Sequence, residues 1–298
     1  MMKRLYVIVL LLILIPTLLS AQRRRNRYRW EFVGGAGITN FLGDLGGADQ
    51  IGTHAAKDWE WVALRPALST GFRYKNSRWV GFKGVFSFGM LRGDDKLTTE
   101  TFRHNRNLNF RAPLFELSAQ VEGYFTKEQQ GHLYRIKNAR GSKKIDLQAY
   151  GFAGVGLIAF IPQGKYKSRW INLRPLSTEG EGLSGGPKKY APVSMSFPFG
   201  VGAKYGIDKQ WSVGFEMGLR YTLTDYIDDV HGFYFDNAVI KKEKGDVAAY
   251  MADPQLGEIP SQSLTGEVRG HKYKDAFIFA MFNINYKIKN YKRTRSKF

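Results

Sequence analysis

The chain has 298 residues, 45 basic against 26 acidic side chains, a formal net charge of +19, and no cysteine. The missing cysteine excludes disulfides, thiol catalysis, thiolate-bound metal and a lipid-modified cysteine. Glycine is abundant at 33 residues and aromatics reach 14%, a combination that suits a membrane barrel with a crowded interior and aromatic girdles.

Met1 to Ala21 reads as a secretory signal: Lys3 and Arg4, an apolar run from Leu5 to Leu19 broken by Pro16, then small residues before Gln22. The run is too short for a membrane-spanning helix, and no later stretch approaches 18 apolar residues. Without Lys3 and Arg4 the balance is 43 basic to 26 acidic residues, or +17. An exported chain meets no nucleic acid, so the expected partner of this charge is a protein or anionic lipid. Residues 22–29 form a basic segment carrying Arg23, Arg24, Arg25, Arg27 and Arg29.

Eight strands are predicted within 30–288. Trp30–Asn40 sets Trp30, Phe32, Ala36 and Ile38 against Glu31, Gly35, Gly37 and Thr39. Val62–Tyr74 and Trp79–Leu91 follow, separated by a tight turn, and Ala112–Phe125 alternates cleanly from Phe115 to Val121. Asp146–Phe160 is rich in glycine and alanine, and its facing stays open. Ser196–Ile207 and Trp211–Thr224 are joined by a short turn; the second alternates over fourteen residues, WSVGFEMGLRYTLT. Asp275–Ile288 is the eighth. Period-2 alternation over segments this long fits tilted membrane strands of roughly 9–11 residues. The expected fold is all-β, an eight-stranded antiparallel up-and-down transmembrane barrel with long extracellular loops.

Counted from a periplasmic N-terminus, the two tight turns fall inside, and connections of about 20, 20, 35 and 49 residues fall outside. One long connection, 126–145, falls on the periplasmic side. It carries Lys127, Arg135, Lys137, Arg140, Lys143 and Lys144 against Glu128 alone. The tail 289–298 adds Lys289, Lys292, Arg293, Arg295 and Lys297. With the five N-terminal arginines, sixteen cations oppose one acid on a single side. The expectation is a basic periplasmic platform that docks an acidic partner.

A barrel of eight strands holds its own side chains and no aqueous pore. The inward polar set includes Glu31, Arg65, Arg73, Lys83, Glu116, Glu122, Lys204, Glu216, Arg220 and Lys287, which are expected to pair with one another. The five histidines, His54, His104, His132, His231 and His271, are placed in loops or turns without metal-ligand spacing. The segment TDYIDDVHG gathers Asp225, Asp228, Asp229 and His231 at a strand end. Its readings, in order, are loop ordering through aspartate hydrogen bonds, a weak cation site at Asp225, Asp228 and Asp229, and surface hydrolysis. No cofactor is expected.

Several stretches carry a family resemblance: GDLGG, RPALSTGFRY, GDDK, RNLNFRAPLFELSAQVE, KYKSRWINLRPLSTEGEG, FPFGVGAKYGIDKQWSVGFEMGLRYTLTDYIDDVHG and FIFAMFNINYKI. Together they resemble the PorG-type outer-membrane proteins of the Bacteroidetes type IX secretion system, from about Trp30 to Ile288. The resemblance implies a non-enzymatic barrel in a protein-export and gliding-motility machine. It would anchor a periplasmic ring, built from a lipoprotein and a soluble subunit, to the outer membrane. It does not say which residues touch the ring. The alternatives are an outer-membrane hydrolase or protease and a small surface adhesin.

Overall fold

The computed structural model describes residues 28–45, 64–97, 100–126, 147–270 and 274–289. Among them are ten strands in one antiparallel sheet: β1 (Trp30–Leu42), β2 (Arg65–Lys75), β3 (Val80–Asp94), β4 (Asn109–Tyr124), β5 (Leu147–Phe160), β6 (Gln163–Tyr166), β7 (Arg169–Asn172), β8 (Val193–Gly206), β9 (Trp211–Thr222) and β10 (Ala276–Ile288). Eight of these close a barrel. Each pairs with its neighbour along the chain, β5 passes to β8, and β10 returns to β1 from Trp30↔Ile288 to Leu42↔Ala276. Closure leaves the eight barrel strands no unpaired edge, which is what a sheet in hydrocarbon requires.

The tight turns are built by side chains. Ser77 Oγ accepts the Trp79 and Val80 amides at 3.1 and 3.0 Å, and Asp208 Oδ1 accepts those of Gln210 and Trp211 at 2.7 and 2.6 Å. Each local loop closes the backbone on itself in place of a solvated turn. These turns, the start of β1 and the end of β10 share one rim. The other rim carries the long loops and the β6–β7 hairpin, which pairs with β4 through Arg111↔Gln163.

The exterior is apolar. On β10 the outward set runs from Ile278 to Ile288, ten residue steps. That is about 34 Å along the strand and about 25 Å along the barrel axis at a tilt of about 40°, the height of a bilayer's apolar band. Exposed Trp30, Trp79, Tyr205 and Trp211 ring the tight-turn rim, with Trp30 against Tyr74 and Trp211 against Tyr286 at 5.0 and 4.8 Å between ring centroids. This is the girdle position of amphipathic aromatics.

The interior has two parts. Its half nearest the tight turns is charged. Its other half is apolar apart from the Glu116–Arg220 pair: Leu114, Ile158, Phe160, Phe277 and Phe279 are fully buried there and continue into a cap formed by the loops. On β10 both faces are apolar over Phe277–Phe282, so the alternation that marks inward residues lower down is lost there, while the ends of β3 and β4 invert it, with Leu91, Phe110 and Ala112 inward and Arg92 and Arg111 outward. The facing of β5 is settled by the same packing, with Tyr150, Phe152, Ile158 and Phe160 inward.

The loops also hold helices that periodicity did not announce. α1 (Thr101–Arg106) is capped by Glu100, which accepts the Phe102 and Arg103 amides, and ends at Asn107 with φ 56°. It contains His104, which is therefore helical. α2 (Asn237–Lys244) and α3 (Asp246–Ala252) meet at Gly245, whose φ of +89° lets the chain turn between them. Their Ile240, Ala248 and Ala252 pack on Leu176, Leu183 and Phe235. β3 and β4 run further than expected toward the loops, to Asp94 and from Asn109, and β9 stops at Thr222.

With the lumen filled by ion pairs at one level and aromatic side chains at the next, the barrel should not conduct. Reconstituted in planar bilayers at high salt, it should give no steady single-channel current; a stable open level would contradict this packing.

Candidate functional site

Arg73 lies at the centre of the charged half-lumen, 1% exposed. Its guanidinium reaches Glu31 Oε2 at 3.1 Å, Glu122 Oε2 at 2.7 Å and Glu216 Oε1 at 3.1 Å. It also donates to Asn285 Oδ1 at 3.0 Å and Tyr150 Oη at 3.3 Å. Three lysines join the network, so four cations face three carboxylates: Lys75 and Lys204 on Glu31 at 3.3 and 2.9 Å, and Lys83 on Glu216 at 2.6 Å. Tyr124 and Tyr150 donate to Glu122 and Glu216. Nearer the loops, Arg220 approaches Glu116 at 3.5 Å, and Ser196 donates to the same carboxylate. Glu116, Glu122, Lys204, Glu216 and Arg220 thus all lie within the barrel, each with a partner. Arg65 sits at the rim, half-buried, and donates to Leu64 O at 2.6 Å.

The TDYIDDVHG segment is the hub of the cap. Ile227 and Val230 are buried in the apolar cluster with Phe41, Leu45 and Phe110. The aspartates diverge around them. Asp225 pairs with the His231 ring; Asp228 Oδ1 accepts the Val230 amide at 3.1 Å. Asp229, with φ 66°, turns the other way and accepts from Thr178 at 2.6 Å and from Tyr190. Aspartate tolerates this left-handed backbone better than most residues. Asp229's backbone carbonyl accepts from Arg269, which also pairs with Glu179 at 3.0 Å. Glu179 Oε1 accepts the His231 and Gly232 amides at 2.9 and 3.3 Å, and Asp275 the Ile227 amide at 2.8 Å. Arg106 clamps the far side, bidentate on Asp95 at 2.8 and 2.9 Å and donating to the carbonyls of Arg269 and Asp44. Among the described residues no three His, Asp or Glu side chains form a group that could hold a metal.

Periodicity gave no sign of Glu179, Glu181, Tyr190, Arg106 or Arg269. They are distant in sequence and meet only because the loops fold over one mouth.

Of the cations assigned to docking, Arg23, Arg24, Arg25, Lys127, Arg135, Lys137, Arg140, Lys143, Lys144, Lys292, Arg293, Arg295 and Lys297 lie outside the described residues. Lys289 is described and exposed. The described residues that flank these segments, Trp30, Tyr124, Leu147 and Ile288, all belong to the tight-turn rim, as the pairings Trp30↔Ile288 and Tyr124↔Tyr150 show.

No family model matches the chain, and no curated protein matches its sequence. Solved structures similar to it are eight-stranded outer-membrane barrels. Ail, the attachment invasion locus protein of Yersinia pestis, is 9% identical with a TM-score of 0.36, covering 88% of this chain and 100% of its own. OprG of Pseudomonas aeruginosa is 10% identical at 0.36, covering 88% and 98%. Neisserial surface protein A is 7% identical at 0.33, covering 88% and 96%. The barrel assignment stands on the strand pairing of this chain itself.

Replacing Arg73 with methionine leaves three buried carboxylates around a missing cation, a loss of about 3–5 kcal/mol by analogy with broken buried pairs. The urea midpoint of the refolded protein in micelles should fall, and Glu122→Gln on that background should restore part of it. An unchanged midpoint would show that Arg73 is dispensable.

The cap should respond to pH. Burial, against the partial relief of the His231 hydrogen bond, pushes the Asp225 carboxyl to about 6. Burial likewise raises Asp229 to about 6 and Glu181 to about 7, and holds Asp228 and Asp275 well above the carboxylate range beside Asp44. Each binds its proton more tightly in the folded cap than in an unfolded chain, where carboxyls titrate near about 4. For Asp225, Asp229 and Glu181 this stabilisation is complete below about pH 4 and is lost as pH rises through about 6 to 7; for Asp228 and Asp275 it persists to higher pH. Unfolding of the cap, followed by fluorescence of a variant retaining Trp170 alone, should need more urea at pH 5 than at pH 8. Asp228→Asn should flatten the difference.

Proposed function

We propose that this chain is an integral outer-membrane barrel that anchors a periplasmic assembly without catalysing a reaction. Its termini and tight turns face the periplasm and its capped mouth faces outward. What supports this is that the described residues flanking three cationic stretches of sequence, 22–29, 127–146 and 289–298, all lie on one rim. Their cations would form a ring of positive charge around the periplasmic opening, suited to an acidic protein surface. The barrel supplies rigidity and position, and the filled lumen removes transport through it from the list of tasks.

The stretches that resemble PorG-type proteins make the assembly a type IX secretion ring, composed of a lipoprotein and a soluble subunit, in a machine that exports proteins and supports gliding. The non-enzymatic reading is supported by what the rim aspartates do. Asp228 and Asp229 are buried and hold backbone and side chains of the cap. Only the Asp225–His231 pair keeps a partly exposed imidazole, at 32%. If that pair instead served a surface hydrolase, Asp225→Ala and His231→Ala would abolish a measurable hydrolysis and leave assembly intact.

Co-purification from gently solubilised membranes should recover an acidic periplasmic partner. Neutralising the cations of 127–146 together with those of 289–298 should weaken recovery, and rising salt should mimic the neutralisation in the unaltered protein. Equal recovery by both proteins across salt concentrations would reject electrostatic docking.

A further inference from the structure

The outer wall of β3 and β4 changes character abruptly at the loop rim. In register, Leu117 faces Phe86, Phe115 faces Phe88 and Pro113 faces Met90; the next outward pair is Arg111 with Arg92, then Asn109 with Asp94. Phe115 lies 5.1 Å from Phe88 between ring centroids. Apolar wall therefore gives way to two directly opposed arginines within one pair step. Like charges placed opposite one another on a sheet are destabilising, so an unbalanced pair here calls for a counter-charge.

The β6–β7 hairpin extends this surface. Arg111 Nε donates to Gln163 Oε1 at 2.8 Å, and its guanidinium stacks over Trp170 at 4.5 Å. Lys165, exposed, pairs with Trp170 across the hairpin and shares the face of Gln163. Arg92 is near enough to Arg65 for its charge to bear on that guanidinium. The acid in the patch, Asp94, is 3.4 Å from Arg92 and also accepts the Lys96 amide. Arg92 remains 36% exposed.

Depth decides what can reach these cations. Arg92 and Arg111 lie four residues beyond Phe88 and Phe115, about 13 Å along the strand and about 10 Å along the normal at a tilt of about 40°. If the phenylalanines mark the edge of the hydrocarbon, the guanidinium groups lie at headgroup level, and Trp170 takes the interfacial place that indole favours. Guanidinium matches phosphate oxygens in a bidentate fork.

We propose that Arg92, Arg111, Lys165 and Trp170 form a binding site for the phosphate of a membrane lipid whose acyl chains lie on Phe88, Phe115 and Met90. The proposal rests on the membrane reading above. With the loops facing outward, the lipid is a phosphorylated glycolipid of the outer leaflet. The site fixes the barrel's depth and rotation at this wall, opposite in height to the tight-turn rim where the periplasmic partner docks.

The test uses the full chain in detergent, with diphosphoryl lipid A, its dephosphorylated form and inorganic phosphate as probes, read by native mass spectrometry. The phosphorylated lipid should be retained on the order of tenfold better than the dephosphorylated one, and the Arg92→Gln, Arg111→Gln double variant should lose that preference. Arg92→Lys with Arg111→Lys, which keeps the charge but loses the fork and the stack on Trp170, should retain only part of it. A heat-shifted gel band reports whether each variant is folded. Equal retention of the two lipids, or an unaltered preference in a folded double variant, would overturn the site. Displacement by inorganic phosphate would replace the lipid with a free anion and overturn it too. Labelling of Lys167→Cys on intact cells reads orientation separately: no labelling with intact lipid preference would overturn the outward-facing mouth and keep the site.

Discussion

Arg73 and the three glutamates around it set the terms for the rest of the barrel. A closed barrel of eight strands brings inward side chains from every strand to one axis, and here many of them are charged. Glu31 comes from β1, Glu122 from β4 and Glu216 from β9, and a single guanidinium from β2 reaches all three. A lone buried carboxylate would be costly. Sharing one planar cation, with lysines on the outer oxygens and tyrosine hydroxyls on the remaining ones, satisfies three of them at once. The network also fixes register, because a slip of one residue in any contributing strand would carry its charge into the lipid.

Above this network the barrel changes strategy. The upper lumen is filled by phenylalanine and aliphatic side chains, and the loops extend that core beyond the sheet through Ile227 and Val230. The cap is ordered from within by polar groups that are mostly buried: Asp229 on Tyr190 and Thr178, Glu179 on Arg269, Asp95 on Arg106. Two different interiors result, one held by charge and nearly incompressible in chemistry, the other held by packing and sensitive to the protonation of its carboxylates. Stability of the barrel and order of its mouth can therefore respond to different conditions.

The strand count and facing were legible wherever one face of a strand meets lipid and the other meets charge. Trp211 to Thr222 is the clearest case, since every second residue from Ser212 to Thr222 is small, polar or charged. Legibility weakened in two places where the upper lumen is apolar. In FIFAMF, residues 277–282, the inward neighbours are as apolar as the outward ones, and in the early part of β4 the pattern inverts, with Phe110 and Ala112 inward and Asn109 and Arg111 outward. The cap was illegible for another reason: Glu179, Tyr190 and Arg269 have no local pattern and acquire meaning only when loops from three parts of the chain meet. In TDYIDDVHG composition revealed that something was being ordered, but not that Asp229 would point away from its neighbours. That depends on one left-handed residue.

The distribution of charge over the molecule then separates three roles that its net value of +19 conceals. Charges inside the barrel are buried and held by partners within it, which keeps them from an external partner. Charges in the cap are mostly acidic and engaged in holding the loops. What remains for recognition lies outside the buried core, in the cationic segments next to the tight-turn rim and in the arginine pair on the β3–β4 wall. In the proposed anchoring role the barrel would need resistance to both pull and rotation. The cations that flank the tight-turn rim in sequence would supply attachment, and the proposed lipid contact on one wall at the opposite height would oppose tilting about it. The filled lumen suits the same proposed role, since ion pairs tie β1, β2, β4 and β9 to one another across the barrel axis.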